Sequence, residues 1–381
     1  MNEAAAIREL PRESLASDPR VDPYLRELAV AGPAAFADNA RVAMRIVDAF
    51  GVILPIVVVE PGPELADVLS PVVRFADYPR SEIAKHGRAW VKPWACAALF
   101  AYGGLLRACA AERAVHVNNW MLATNPGRPL AAGEYRRLND FLRARFPEHA
   151  IVHRTVNPYL NRGHHDALVA AGGRMVCTRI VYIIDPGSER FRRSSEVRKD
   201  RQHFRKTAYR VVDVRPDDGV DVQRLASLYR QLYLDKHCRL NTAFNARFFE
   251  LILRTPCLRT RVVEHEGRID AFGVSYVNDG FVTGALTGYD TTRPRSLGLY
   301  RLAMMDKMLI AEELGLLLNI SGGSGGFKCL RGGFPVREYD AVFDDHLPPW
   351  RRLAWRLAAA EGRRWRAPVP LVEAPPAPGI P

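Results

Sequence analysis

The feature of this sequence that most constrains its fold lies at residues 260–290, "TRVVEHEGRIDAFGVSYVNDGFVTGALTGYD". Three apolar runs, which alternate in part with polar residues, are separated by His-Glu-Gly and Asn-Asp-Gly. A glycine after such polar residues supplies the positive φ that a tight hairpin turn requires. We therefore predict a three-stranded antiparallel meander.

A helix and a short strand are predicted directly after the meander. Residues 296–315, "SLGLYRLAMMDKMLIAEELG", have helical spacing, with Ser296 as the N-cap and Gly315 at the C-terminal end. Residues 316–320, "LLLNI", predict a strand that leads into the glycines before Lys328. Upstream of the meander the sequence predicts a basic helix ("EVRKDRQHFRKTAY"), a strand ("YRVVDV") and a helix ("VQRLASLYRQLYLDKH").

A linker-like stretch, "IDPGSERFRRSS", divides the sequence into two halves. We predict a first domain at residues 1–187 and a second at 188–348, followed by a basic amphipathic helix at 349–366 and a disordered, proline-rich tail at 367–381. The first domain is predicted to be mixed α/β. Its predicted elements are a helix ("RVAMRIVDAF"), a strand ("GVILPIVVV"), a buried helix ("CAALFAYGGLLRACAAERA"), a strand ("VHVNNWML"), a helix ("AGEYRRLNDFLRARF") and a strand ("AIVHRTV").

The composition favours an anionic partner. The formal net charge is +12 and the pI is near 9.6, which suits a phosphate cofactor, an acidic carrier protein, nucleic acid or anionic lipid. The first residues lack the apolar core of a signal peptide, and the longest uncharged stretches fall short of the roughly 20 residues that span a bilayer. We expect a cytoplasmic protein without stable membrane insertion. The cysteines form no CxxC pair, and "HHD" at 164–166 has no partner at metal-ligand spacing, so no metal site is expected.

One loop has the chemistry of a pyrophosphate site. In "TTRPRSLGLYRLA", Arg293 and Arg295 precede a predicted helix whose first turn contains Ser296 and Gly298. Free backbone N–H groups at that turn, together with the helix dipole and two guanidinium groups, can hold a pyrophosphate. The alternative is a capped helix with solvated arginines.

These residues also carry a family resemblance. Arg295, Gly298 and Tyr300 resemble the Arg-x-x-Gly-x-Gly/Ala loop of the GCN5-related N-acetyltransferase (GNAT) superfamily, with Tyr300 in place of the usual small residue. Phe327 and Lys328, with the glycines at 332–333, are similar to the Fem-like, FemAB-related acyltransferase branch. The resemblance covers roughly residues 190–345. It implies an α/β (α+β) fold of tandem GNAT-like domains, in which a mixed central sheet is flanked by helices and the first, diverged domain lies on the acceptor side.

The resemblance implies a donor that is a phosphopantetheine thioester, either acyl-CoA or an acyl carrier protein, used as a co-substrate rather than as a bound cofactor. In this fold the thioester lies where the last meander strand and the strand after the helix splay apart. We assign donor binding to Arg293, Arg295, Ser296, Gly298 and Ser321. A backbone N–H of "TGALTGYD" is expected to polarise the thioester carbonyl.

Four side chains are candidates for the chemistry. Lys328 is expected to stabilise an oxyanion or hold a donor phosphate. Asp235 and Asp290 are candidate general bases, with His237 as a third, and Tyr289 is a candidate acid for the leaving thiolate. Each of the candidate bases has an alternative interpretation as a helix-end or turn residue, and Lys328 as a surface residue.

A second group of candidates lies in the first half. Asn118, Asn119 and Trp120 follow a predicted strand, at a position where loops often carry recognition groups. We assign them to substrate binding, with a buried hydrogen-bonded turn as the alternative.

Three functions remain open. The first is an N-acyltransferase that moves an acyl group, such as acetyl, directly to an amine. The second is a Fem-like aminoacyltransferase whose donor is aminoacyl-tRNA, bound by the basic residues 190–210 with Phe191, Phe204 and Tyr209 for base stacking. The third is a non-catalytic scaffold for nucleic acid or a carrier protein.

Overall fold

The computed structural model describes residues 7–62, 65–278 and 280–364. These residues separate into two compact units by their internal contacts. Unit 1 contains the described residues of 7–178, 237–243 and 338–364, and unit 2 contains those of 179–236 and 244–337. The disordered tail predicted at 367–381 lies outside the described residues.

The bounds of the regular elements are as follows. The strands are β1 (Ile7–Glu9), β2 (Ala43–Ala49), β3 (Val52–Val59), β4 (Ala114–Val117), β5 (Ala150–Val156), β6 (Arg174–Ile184), β7 (Arg210–Asp213), β8 (Arg259–His265), β9 (Arg268–Asn278), β10 (Phe281–Tyr289), β11 (Leu317–Asn319) and β12 (Phe334–Phe343). The α-helices are α1 (Pro23–Ala31), α2 (Tyr78–His86), α3 (Lys92–Ala108), α4 (Ala132–Arg145), α5 (Arg162–Ala170), α6 (Glu189–Arg192), α7 (Ser195–Lys206), α8 (Val222–Arg230), α9 (Ala246–Leu253), α10 (Leu299–Leu314), α11 (Gly325–Cys329) and α12 (Pro349–Arg364).

Unit 1 is built on an antiparallel run of strands that ends in a parallel pair. Strands β1, β2, β3 and β4 pair antiparallel in that order. Strand β5 then pairs parallel to β4 and antiparallel to β12. The core on this sheet includes Ile56, Val115, Leu138 and Ile151, so α4 contributes to it through Leu138.

The helix predicted for "RVAMRIVDAF" is wrong, because this segment forms strand β2. Along residues 43–46, Ala43 and Arg45 are exposed and alternate with Met44 and Ile46, which are buried. This is the alternation of a strand with one face on the core. The strand pairs with β3 along its whole length. A short run of β-branched residues beside a strong strand therefore overrides the helical spacing.

Unit 2 confirms the predicted meander. Strands β7, β8, β9 and β10 pair antiparallel in sequence order. Strand β11 pairs parallel to β10 and antiparallel to β6. Helix α10 packs its methionines, Met304, Met305 and Met308, against Val282 of β10 and Leu318 of β11. The predicted order of basic helix, strand, helix, meander, helix and strand is confirmed.

The two units repeat one order of elements. In unit 1, β2, β3 and β4 pair antiparallel in sequence order, with α2 and α3 inserted between β3 and β4, and they are followed by a helix (α4) and by a strand parallel to β4 (β5). In unit 2, β8, β9 and β10 are followed by α10 and the parallel strand β11. Each unit is thus a mixed sheet flanked by helices, as the sequence predicted.

Helix α10 begins later than predicted. Ser296 is not its N-cap, because residues 295–297 form a 3-10 turn and Gly298 is the N-cap, at φ +62°. A Cβ at position 298 would lie 2.6 Å from Nε2 of His203, which binds the carbonyl of Leu297. The predicted end at Gly315 is confirmed, with φ +64°.

Helices α3 and α12 lie in unit 1. The prediction that α3 is buried is wrong, because only Gly103 and Leu106 of this helix are buried. The predicted helix at the C-terminal end is confirmed as α12, which buries Ala354 and Trp355 in the core of unit 1. Within the described part of the chain, no helix is both long enough and apolar enough to span a bilayer.

Candidate functional site

Two parallel strands separate in unit 2, and we call the region between their separated ends the cleft. Strands β10 and β11 pair only from Phe281–Leu317 to Thr283–Asn319. β10 then continues to Tyr289, with a bulge in its register between Gly284 and Leu286. Bulges bend a strand and often lie beside active sites. We call residues 284–289 the β10 lip and residues 320–324, which follow β11, the glycine-rich lip.

Lys328 holds the glycine-rich lip. It lies on α11, and its Nζ donates to the carbonyl oxygens of Ile320 (2.7 Å), Ser321 (3.0 Å) and Gly322 (2.5 Å). The residue is only 2% exposed. Burial, helped by the charges of Arg179 and Lys307, lowers the pKa of Lys328 to about 7.

The β10 lip is held by a second buried lysine, which the sequence interpretation missed. Nζ of Lys307, on α10, donates to the carbonyl of Leu286 (2.6 Å) and to Oγ1 of Thr287. Burial lowers the pKa of Lys307 to about 7, although the carboxylate of Asp306 opposes the shift. The signal in the sequence is the pair Asp306–Lys307 in the middle of an otherwise apolar helical segment.

Two strand glycines make room for this lysine. A Cβ at Gly273 would lie 3.0 Å from Cε of Lys307, and a Cβ at Gly284 would lie 3.0 Å from its Cδ. The lysine side chain therefore occupies the space that side chains on β9 and β10 would otherwise fill. Its position is built into the sheet and does not depend on α10 alone.

The two lysines bring positive charge to both lips. Among the ion pairs of the described residues, none includes Lys307 or Lys328. An ammonium has three N–H donors, and all three of Lys328 are used by the lip carbonyls. The geometry of Lys328 therefore favours a role in fixing the lip over direct contact with an oxyanion. Its charge acts through space. Lys307 has two described partners for its three donors.

Aromatic side chains cover one end of the cleft region. The ring of Tyr300 lies 5.8 Å from that of Tyr289 and 5.1 Å from that of Phe327, measured between centroids. Nζ of Lys236 donates to Oη of Tyr289 at 2.5 Å. Tyr289 thus lies at the end of the β10 lip and contacts Tyr300, whose ring also contacts that of Phe327. Tyr300, which replaces the usual small residue of the GNAT loop, is part of this aromatic contact.

Two polar atoms are buried and unpartnered where the strands part. Oγ1 of Thr283 and Nδ2 of Asn319 have no hydrogen-bond partner among the described residues, and the two residues are the last pair of the β10–β11 ladder. Oδ1 of Asn319 accepts from the backbone N–H of Ser321. Leaving such atoms unpaired costs about 1–3 kcal/mol each, so they are available to a ligand at the base of the cleft.

Ser321 lies on the glycine-rich lip, as its predicted role requires. Its φ is +60°, and its Oγ accepts from Nη1 of Arg179 at 3.2 Å. The left-handed backbone of a non-glycine residue is uncommon and is frequent at functional sites. Its carbonyl is one of the three that Lys328 binds.

Asp290 and Arg293 belong to an ion-pair cluster at the end of β10. Oδ2 of Asp290 accepts from Arg224 (2.7 Å) and Arg268 (2.8 Å), and Arg293 pairs with Asp270 (3.1 Å). Burial would raise the pKa of Asp290, but hydrogen bonds from Arg224 and Thr292 outweigh it and hold the pKa well below its ordinary value. Such a carboxylate is a weak base, so its surroundings do not favour the predicted role.

The remaining donor and base candidates are not brought into the cleft. Arg295 and Ser296 are exposed in the 3-10 turn, next to the N-terminus of α10. Asp235 is exposed, with Arg230 at 3.9 Å, and His237 belongs to unit 1. The roles of Asp235 and His237 as bases remain predictions.

Asn118, Asn119 and Trp120 form a hydrogen-bonded turn after β4 in unit 1. Oδ1 of Asn118 accepts from Nε1 of Trp120 (2.8 Å), and its Nδ2 donates to the carbonyl of Pro126. Oδ1 of Asn119 accepts from Arg154 (2.9 Å), while Trp120 stacks on Tyr24. These contacts fit the alternative interpretation as a buried turn, and substrate binding by these residues remains a prediction.

Comparisons with known proteins agree with this architecture. No protein-family model and no curated protein matches the chain. The solved structure of FemX is similar, with a TM-score of 0.53 and 8% identity over 92% of this chain and 100% of that one. The C-terminal domain of a putative lysylphosphatidylglycerol synthetase from Agrobacterium fabrum matches with a TM-score of 0.45 and 16% identity, over 65% of this chain and 82% of that one. A tandem GNAT protein from the clavulanic acid biosynthesis pathway matches with a TM-score of 0.38 and 12% identity, over 89% of this chain and 98% of that one. From the likeness to FemX, we conclude that this chain has a Fem-like fold.

Proposed function

We propose that unit 2 transfers an acyl group from a phosphopantetheine thioester, carried by CoA or by a carrier protein, directly to an amine. The observation that carries the proposal is the parting of β10 and β11 after Thr283–Asn319. This leaves an unpaired stretch of β10 opposite a glycine-rich backbone. An extended pantetheine arm can hydrogen-bond to such an unpaired strand in the way that an added strand does.

The proposed reaction is a direct acyl transfer between the β10 lip and the glycine-rich lip. The amine nitrogen attacks the thioester carbonyl carbon, the C–N bond forms and the C–S bond breaks. The proton that the nitrogen loses passes to water, and the sulfur leaves as a thiolate. We assign polarisation of the carbonyl oxygen to a backbone N–H of the β10 lip. Lys307 fixes that lip through Leu286, and the positive charges of both lysines favour the developing oxyanion. Tyr289, at the end of the lip, is our candidate to protonate the leaving thiolate.

We assign the donor's phosphates to the N-terminus of α10. The first backbone N–H groups of a 16-residue helix face an exposed loop that carries Arg295. Arg293 is already paired with Asp270, so Arg295 is the better anion ligand of the two. Its charge and the helix dipole support the assignment of the pyrophosphate to this position.

A second donor, aminoacyl-tRNA, is favoured by one observation. Helices α6 and α7 expose several basic side chains, among them Arg190, Arg193, Arg198 and Arg205. Such a surface suits a phosphate backbone. The base-stacking part of this hypothesis has little support, because Phe191 and Tyr209 are buried.

The test is the change in thermal midpoint on adding CoA, acetyl-CoA and a long-chain acyl-CoA. A ligand that binds only the folded state adds about 2.7 kcal/mol at a hundredfold excess over its Kd, a rise of several degrees. We expect a rise with the wild type, and release of free CoA thiol when an amine acceptor is added. No rise with any of the three would reject CoA as the donor.

Two charge reversals sharpen this test. Arg295→Glu should abolish the rise in midpoint, whereas Arg190→Glu, at an exposed arginine of α6, should leave it unchanged. An equal rise in both variants would remove the pyrophosphate assignment. Salt-sensitive retention of tRNA without a response to CoA would favour the aminoacyl donor, and binding of a polyanion or carrier without turnover would favour the scaffold.

A further inference from the structure

The most exposed large hydrophobic side chains of the described residues lie close together in the sequence of unit 1. Trp94 is 80% exposed, Trp90 is 74% exposed and Phe100 is 67% exposed. Trp90 lies in the turn before α3, and the other two lie on α3. Single exposed apolar residues need no explanation, but large apolar side chains grouped on one segment mark an interaction surface.

The solvent-facing side of α3 is mostly apolar. Trp94 is followed at helical spacing by Ala97, Ala98, Ala101 and Ala108, all of them exposed. The opposite side packs on unit 1 through Gly103 and Leu106, where a Cβ on Gly103 would lie 3.2 Å from Cβ of Ala76. A surface helix ordinarily turns polar residues to solvent. The outer face of α3 therefore resembles an interior face that has no cover.

The charged residues within this segment of the sequence are all basic. No acidic residue lies between Glu82 and Glu112, and this interval contains Lys85, Arg88, Lys92 and Arg107. Lys85 and Arg88 are exposed, and Arg107 pairs with Asp77 at 2.5 Å. Tryptophan combines an apolar ring with an N–H donor, which suits the boundary between acyl chains and headgroups. Aromatic anchors beside basic side chains are the features of a segment that lies on an anionic bilayer.

We propose that Trp90, Trp94 and the outer face of α3 attach the protein to the surface of an anionic lipid bilayer. The helix lies in the interfacial plane, its apolar face enters the headgroup boundary, and Arg88 and Lys92 contact lipid phosphates. At 17 residues with basic flanks, α3 does not cross the membrane. This attachment does not depend on the proposed acyl transfer.

A second copy of the chain is a poor occupant of the same face. A two-fold symmetric dimer uses the same surface patch of both protomers. Here it would bring the basic residues of this interval from both protomers into one interface, with no acidic residue in the interval to separate them. The repulsion disfavours self-association, whereas an anionic surface gains from every one of these charges.

The test is flotation of the full chain with lipid vesicles at low salt. We expect the wild type to float with phosphatidylcholine vesicles that contain about a third phosphatidylglycerol, and to float far less with phosphatidylcholine alone. The double variant Trp90→Ser, Trp94→Ser should reduce binding to the anionic vesicles about tenfold. The charge variant Arg88→Glu, Lys92→Glu should do the same.

The matched control removes exposed apolar side chains elsewhere. Val277 and Leu330 of unit 2 are 55% and 64% exposed, and the double variant Val277→Ser, Leu330→Ser should bind vesicles within about twofold of the wild type. Thermal midpoints confirm that each variant is folded, since all these side chains are exposed. The proposal is overturned if the wild type does not float, if it floats equally with neutral vesicles, or if the tryptophan variant binds like the wild type. A wild-type dimer that the tryptophan variant abolishes would also overturn it.

Discussion

At the scale of single residues, Gly284 is expected to be indispensable because of Lys307. A methyl group at position 284 would lie 3.0 Å from Cδ and 3.3 Å from Nζ of that lysine. Overpacking of this kind costs about 1–3 kcal/mol. We expect Gly284→Ala to lower the free energy of unfolding in urea by that amount.

The control is a double-mutant cycle with Lys307→Ala. Removing the lysine side chain clears the space, so Gly284→Ala should cost less in the Lys307→Ala background, with a coupling of at least about 0.5 kcal/mol. The same cycle with Gly273→Ala should behave alike, because its Cβ would lie 3.0 Å from Cε of Lys307. If the effects of the substitutions are additive at both positions, the Lys307 side chain is not the reason that β9 and β10 have glycine there.

The lowered pKa of Lys307 predicts a pH-dependent stability of defined sign. Below about pH 7 the lysine is protonated in both the folded and unfolded states, and folding bears the full cost of burying the charge. Between about 7 and its ordinary value of 10.5 the folded state releases the proton while the unfolded state keeps it. The contribution of Lys307 to the free energy of unfolding therefore rises with pH in this window, by at most about 1.4 kcal/mol per pH unit.

A comparison with Lys307→Met isolates that contribution. We expect the stability of Lys307→Met relative to the wild type to be greatest at pH 6–7 and to decline towards pH 9, measured by urea unfolding at each pH. Lys206→Met, at an exposed lysine of α7, should differ from the wild type by the same amount at every pH. A flat difference for Lys307→Met would mean that its ammonium is not destabilised by burial.

At the scale of elements, the two ends of α10 provide a matched pair of glycines. Gly298 and Gly315 have φ values of +62° and +64°, so alanine at either carries similar strain, about 1–2 kcal/mol. They differ in the space available for a Cβ. At Gly298 a Cβ would lie 2.6 Å from Nε2 of His203, whereas at Gly315 no atom lies within 4 Å. We expect Gly298→Ala to lower the thermal midpoint more than Gly315→Ala.

The second variant in this experiment is His203→Ala. In that background the clash is absent, so the two glycine substitutions should become equally destabilising. If Gly298→Ala and Gly315→Ala already cost the same in the wild type, then His203 can move aside without loss of its 3.0 Å bond to the Leu297 carbonyl. That result would leave the start of α10 more open to a ligand than its geometry indicates.

Local signals in the sequence were sufficient for the meander of unit 2 and for the end of α10, whereas α9 was not predicted. The turn residues before Arg268 and Phe281 identify the meander, and Gly315 identifies the end of α10. The start of α10 was misplaced because Ser296 fits the preferences for an N-cap, whereas the left-handed backbone of Gly298 depends on contact with His203. That contact is distant in sequence, and no local rule encodes it.

The site was predicted less well than the fold, for the same reason. Lys328 and Ser321 were chosen because glycines and a family resemblance surround them, and their functional roles remain predictions. Lys307 was missed, since its role depends on two glycines in other strands. Asp290 was chosen as a base from its place at a strand end, but its pKa is set by Arg224 and Arg268, which come from other elements. The burial of α3 was wrongly predicted because apolar composition does not reveal whether a partner covers a helix.

At the scale of the whole molecule, a net charge of +12 predicts that the protein binds polyanions with strong salt dependence. The question is whether this binding belongs to a surface or to the charge as a whole. Helices α6 and α7 expose Arg190 and Arg198, neither of which has a described acidic partner. Each contact with a phosphate contributes about one unit to the slope of log affinity against log salt concentration.

We therefore expect Arg190→Glu, Arg198→Glu to weaken tRNA binding and to reduce the salt slope by about two units. The matched control is Arg88→Glu, Lys92→Glu in unit 1, which changes the net charge by the same amount. If the α6–α7 surface binds tRNA, the control should retain most of the affinity and nearly the whole slope, as measured by fluorescence anisotropy. Equal losses in the two variants would mean that net charge alone attracts tRNA, and the aminoacyl donor would then lose the observation that favours it.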